Sequence, residues 1–171
     1  KTLSDKIVAD GGKPWCAGIE SGTATGWVVT DWIEDFVLRL EGPDVYDQWV
    51  THKIPFNDPK IKEATDAVAE YLKNEKYMAG GVKSIAVTSF QEGGLGILDG
   101  SCYMHRQASF YANQFPKGTD ISETGKANWF YLPTTAASDP KVMLTGGEFM
   151  AITKGNDRPE VKDTQLFMTS A

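Results

Sequence analysis

Two histidines and two cysteines are all that this chain of 171 residues offers for soft-metal or thiol chemistry. Structural zinc sites draw four ligands from closely spaced Cys and His, so no metal centre is expected. Basic residues are also in deficit, with 17 Lys+Arg against 23 Asp+Glu and a formal net charge of −6. Phosphate backbones call for a basic face, so nucleic acid is not expected as a partner. No apolar run approaches the roughly 18 residues of a membrane-spanning helix. Nucleotide chemistry lacks its glycine-rich phosphate loop, since Gly93-Gly94 and Gly146-Gly147 have neither the dinucleotide nor the Walker pattern. Acyl-transfer chemistry lacks a Gly-x-Ser-x-Gly elbow, and His52 and His105 have no evident triad partners. We expect no catalytic residue and no cofactor. The abundant carboxylates still leave one alternative open, a carbohydrate-active enzyme fragment or an accessory binding module, because a carboxylate pair is a spatial feature.

Hydrophobic residues make up 41% and charged residues 23%, which is ordinary globular usage and excludes disorder and fibrous repeats. Aromatics are plentiful, with 5 Trp, 6 Tyr and 8 Phe. Most aromatic rings serve packing, yet a flat indole can also stack on the C–H face of a sugar. Lys1 opens without an initiator Met or an apolar leader, and residues 161–171 carry no stop signal. We therefore expect a single domain over 1–171, cut from a longer protein.

Helical spacing is clear in several places. Leu3, Ile7 and Val8 form a stripe before Gly11-Gly12. Thr30 offers an N-cap hydroxyl to a helix carrying Trp32, Ile33, Phe36, Val37 and Leu40, which Gly42-Pro43 ends. Val45 and Trp49 share the face of a short helix. Asn57-Asp58-Pro59 starts another, with Ile61, Ala64, Val68, Tyr71 and Leu72 inward. A third amphipathic segment is expected over 82–90. Short strands are expected at Pro14 to Ile19, Leu95 to Leu98, Trp129 to Leu132 and Phe149 to Thr153. Interleaved helices and strands predict an α/β lobe, helix-rich around a small mixed sheet. Trp15, Trp32, Trp49 and Trp129 read as packing residues. The two cysteines are compatible with a free buried pair or with a disulfide.

An ordered set of short motifs carries a family likeness. Lys13-Pro-Trp-Cys-Ala-Gly is followed by Thr23-Ala-Thr-Gly-Trp, Thr30-Asp-Trp-Ile-Glu-Asp and Gly42-Pro-Asp-Val-Tyr-Asp. Ile54-Pro-Phe-Asn-Asp-Pro, Phe90-Gln-Glu-Gly and Asp99-Gly100 complete the series. Together, from about Lys13 to about Glu160, they resemble the family 1 extracellular solute-binding proteins, and within these the α-glucoside-binding proteins of ABC importers. The resemblance implies most of the second lobe of a two-lobed, type II periplasmic-binding-protein-like fold, lacking its first lobe. It implies a carbohydrate ligand, an ABC permease as partner, and an extracytoplasmic location, in the periplasm or at the cell surface through a lipid anchor. In an exported chain, an even cysteine count favours a Cys16–Cys102 disulfide. The likeness also implies a set of cleft-facing residues. Trp27 lies just before the Thr30 helix, Asp31 would accept sugar hydroxyls, and Tyr103 would stack. His105 and Arg106 would donate hydrogen bonds, and Gly147 and Glu148, with Gly146, form a glycine-rich turn approaching the ligand.

Overall fold

A computed structural model describes residues 1–134, 141–147 and 149–170. Five α-helices occur among them: α1 (Thr2–Ala9), α2 (Trp27–Leu40), α3 (Pro43–Val50), α4 (Pro59–Leu72) and α5 (Pro159–Thr169). Local chemistry accounts for most of their ends. Asp58 caps α4 by accepting the Lys60 N–H at 3.0 Å, with Pro59 at the first helical position, where no N–H is needed. Pro43 opens α3 in the same way.

The start of α2 differs from the expectation. The helix begins at Trp27, three residues ahead of Thr30, because Gly26 adopts φ +108°, a left-handed turn that admits the chain directly into the helix. Thr30 is already helical, and its hydroxyl donates to the Trp27 carbonyl at 2.7 Å rather than capping. Trp27 is thus a first-turn residue.

One core joins α1, α2, α4 and the extended segment that begins at Lys13. Trp32 (2% exposed) and Val28 from α2 meet Val68 and Leu72 from α4, with Trp15, Met78 and Met104 completing the layer. The Trp15 indole N–H donates to the buried Ser4 hydroxyl of α1 at 3.0 Å, so its one polar atom is satisfied. A second cluster packs Val37 on Val45, Ile61 and Ala64, with Tyr46 and Trp49 at its edge.

The small mixed sheet is not found among the described residues. Extended segments meet there in isolated parallel bridges, Trp15 with Met78 on one side and Met104 on the other, and Glu20 with Ser89. Glycines explain the closeness of the chains beside this pairing. A Cβ on Gly18 would lie 2.4 Å from the Ser89 carbonyl, and one on Gly93 would lie 2.6 Å from the Gly18 nitrogen. The backbones therefore approach more closely here than a Cβ at either position would allow. Leu95–Ile97 is a 3-10 turn rather than a strand, and the 82–90 segment holds only the 3-10 turn Val82–Ser84. Residues 129–132 and 149–153 are not in regular strands. Trp129 is 77% exposed, so its assignment to packing is corrected, whereas Trp15 and Trp32 are core and Trp49 is partly buried.

The Cys16–Cys102 disulfide is present, with a Cα–Cα distance of 5.6 Å. It pins the segment 102–107 beside 13–16, where the Cys16 N–H donates to the Met104 carbonyl at 2.9 Å and the Met104 N–H to the Pro14 carbonyl at 2.8 Å. This strap runs past the first turns of α2. Among the described residues, no helix is long and apolar enough to cross a membrane.

Candidate recognition face

The first turns of α2 and the strap build the site. Trp27 and Asp31 are four residues apart, so they share one helix face. The half-buried Trp27 ring packs edge-on against Phe90 at 5.3 Å and tilted against Phe110 at 5.9 Å. Phe110 remains 40% exposed. Its 3-10 turn, Ser109–Gln114, is stapled by Tyr111, whose hydroxyl accepts the Gly94 N–H at 2.6 Å and donates to the Gln91 carbonyl at 2.7 Å. The result is a three-ring aromatic edge beside a carboxylate.

Asp31 keeps part of its exposure, and Oδ2 lies 3.9 Å from Nη1 of Arg106. Burial raises the Asp31 carboxyl above its ordinary range, while the Arg106 guanidinium opposes that rise and Glu34 and Asp35 add to it. On the far side of Glu34, the Tyr46 hydroxyl donates to its carboxylate at 2.6 Å, and burial with this bond pushes the phenol up to about 12.

The structure therefore brings Trp27, Asp31 and Arg106 together. His105 is adjacent but committed, since its Nδ1 donates to the Cys16 carbonyl at 3.0 Å and its ring packs on Tyr111 at 4.5 Å. Tyr103 lies elsewhere on the strap. Backbone alternation turns Cys102 and Met104 inward and Tyr103 outward, 61% exposed, with its ring edge over Gly12. Gly146 and Gly147 are exposed, with nothing within 4 Å of a Cβ placed on either, and Glu148 lies outside the described residues. Phe90, Phe110 and Asp35 were not anticipated as part of the site. For Asp35 a signal existed, a charge on the same helix stripe as Trp32 and Leu38.

Two concavities of the surface lie away from this face, one along α4, around Pro59, Lys62 and Asp66, and one beside α3, around Asp44 and Gln48. Among the described residues no group of three or more His, Cys, Asp or Glu side chains could hold a metal ion.

His105 gives a pH prediction. Burial lowers its pKa, against the pull of the Cys16 carbonyl. The unfolded chain then takes up the proton first, so the stabilisation is complete above the ordinary value of about 6.5 and is lost as pH falls from there toward the lowered value. Urea unfolding of the wild type should lose stability between pH 7.5 and 5, and the His105→Gln variant should lose less. An equal loss in both would show that the ring does not carry the acid sensitivity.

The relatives of the chain are named as binding proteins. The chain is 39% identical over 171 residues to the osmoprotective compounds-binding protein GgtB of Synechocystis sp., covering 99% of this chain and 39% of that protein. It is 41% identical over 135 residues to the alpha-glucosides-binding periplasmic protein AglE of Rhizobium meliloti, covering 78% of this chain and 29% of the relative. The chain is thus kin to solute-binding proteins, and the likeness to the extracellular solute-binding family read from its motifs is borne out. It spans about two fifths of the length of one relative and under a third of the other. No family model matches the chain, and no solved structure matches it at a significant level.

Proposed function

We propose that this chain is most of one lobe, the second, of a two-lobed solute-binding protein that captures a carbohydrate, an α-glucoside or oligosaccharide, for an ABC importer. The observation that carries this reading is the kinship of the chain, over 99% and 78% of its length, to two binding proteins, the second of them named for α-glucosides. The face described above supplies the chemistry. Trp27, flanked by Phe90 and Phe110, stacks on the sugar ring, and Asp31 accepts hydroxyl protons. Tyr103, exposed on the same strap, gives a further stacking ring. Arg106 sits behind Asp31, and His105 holds the strap. A first lobe completes the cage, an ABC permease receives the ligand, and the protein works outside the cytoplasmic membrane. The lobe alone binds weakly, because it has only part of the contacts and none of the preorganisation of closure.

Calorimetric titration of the full-length, two-lobed protein against α- and β-linked glucosides tests this reading. Binding should be confined to one linkage class, with no release of product from an aryl α-glucoside. Trp27→Ala should weaken it by about 1–3 kcal/mol, the scale of a lost stacking face. Turnover of the aryl glucoside would instead favour a carbohydrate-active enzyme. Absence of binding across the panel would remove the sugar and leave another solute.

A further inference from the structure

Asp35 lies on the inner side of α2, 5% exposed. A carboxylate so buried needs cationic partners, and it has two. Oδ1 accepts from Nε of Arg39 at 3.1 Å, and Oδ2 lies 3.4 Å from both Nε and Nη2 of Arg106. The two arginines are used differently. Arg39 is further engaged, with Nη1 donating to the Leu132 carbonyl at 2.6 Å and its guanidinium 4.8 Å above the Tyr131 ring. Arg106 presents one edge to Asp35 and leaves Nη1 buried, without a hydrogen-bond partner, 3.9 Å from Oδ2 of Asp31. A guanidinium is planar and rigid, so fixing one edge fixes where the other points. Because Nη1 is buried, the group of this pair that a ligand meets is the Asp31 carboxylate.

We propose that Asp35 is the positioning residue of the site: it clamps Arg106 by one edge so that the other faces Asp31, keeping Asp31 an oriented, ionised acceptor for ligand hydroxyls. The ligand part of this statement rests on the solute-binding reading above; the clamp does not. The charged and titratable groups around Asp31 are Arg106 from the strap, Glu34 and Asp35 from α2, and Tyr46 from α3. Burial and the two carboxylates raise its pKa, and Arg106 alone of these lowers it, with more weight than either carboxylate.

That ordering yields a test of sign. Removing the Asp35 charge would, by Coulomb repulsion alone, lower the Asp31 midpoint. If Asp35 holds Arg106 in place, Asp35→Asn releases the larger, lowering influence and the midpoint rises. Carboxyl carbon shifts of Asp31 followed through a pH titration of this chain read the difference. The expected results are a rise in Asp35→Asn, a rise in Arg106→Gln, and a fall when Asp35→Asn is added to Arg106→Gln. A fall in the single Asp35→Asn variant would overturn the proposal. Should Asp35→Asn fail to fold, Arg106→Lys serves: it keeps the charge without the fork, so the midpoint rises if the clamp matters and stays if charge alone does. In the full-length protein, maltose binding by Asp35→Asn should be about tenfold weaker, the scale of one charge-assisted hydrogen bond. A wild type that binds no sugar would count against the solute reading, while the Asp31 titration would still decide the clamp.

Discussion

Removing the Cys16–Cys102 disulfide should lower the unfolding free energy by about 4–5 kcal/mol in the chain-entropy model. The bond joins residues 86 apart in sequence, so the open chain regains a large loop of freedom when it is cut. Both cysteines are buried, at 7% and 2% exposure, and a Cβ on Gly96 would come within 2.7 Å of the Cys16 sulfur. The paired alanine variant, Cys16→Ala with Cys102→Ala, therefore also loses packing. A loss of this size is about a quarter or more of the roughly 5–15 kcal/mol that holds ordinary domains together. Its local consequence falls on the strap, where backbone bonds from 103 and 104 to 13–16 depend on the same alignment. Urea unfolding with and without reductant measures the effect. A difference below about 1 kcal/mol would mean that the reduced chain keeps the strap in place without the bond, or that the denatured state is already compact.

Trp32→Ala should cost about 3–5 kcal/mol, the range for deleting a buried indole. Trp32 is 2% exposed and sits at the meeting of three elements. Its ring packs edge-on against Trp15 at 5.3 Å, and tilted against Phe36 at 5.9 Å and Tyr71 at 6.4 Å. Truncation leaves a cavity that α2 and α4 cannot close without abandoning those rings. Trp129→Ala is the matched control: with 77% of its surface exposed, the change should stay within about 0.5 kcal/mol. Comparable losses at the two positions in denaturant unfolding would contradict this account of the core.

The outcome at these two tryptophans shows where sequence patterns carry structural information. Trp32 belongs to a helical repeat with Phe36 and Val37, so its burial follows from spacing. Trp129 was assigned by residue type and a short apolar run, which says nothing about partners. The start of α4 was readable because Asp58 and Pro59 act on their immediate neighbours. The start of α2 was not, because Gly26 admits an earlier entry that Thr30 seemed to forbid. The strand expected at Pro14 to Ile19 is reduced to isolated bridges, with Gly18 and Gly93 in close backbone contact beside them, contacts that no local pattern announces.

The site divides along the same line. Trp27 and Asp31 lie one helical turn apart, a relation visible in the sequence. Arg106 beside Asp31, and Phe90 and Phe110 around Trp27, are separated from them by some sixty to eighty positions, and only folding brings them close. The disulfide pairing came from the family likeness and an even cysteine count, and the structure contains it. Its placement explains the strap: the bond fixes Cys102, alternation turns Tyr103 outward, and Arg106 arrives over α2.

The most direct test of the recognition face follows the indole N–H signals of Trp15, Trp27, Trp32, Trp49 and Trp129 while an α-glucoside such as maltose is added to the full-length protein. The Trp27 signal is expected to move with saturating concentration dependence, while Trp15, Trp32 and Trp49, held in the packing of the chain, stay in place. Saturable movement at Trp129 with Trp27 unmoved would contradict this and put the sugar on another face of the chain.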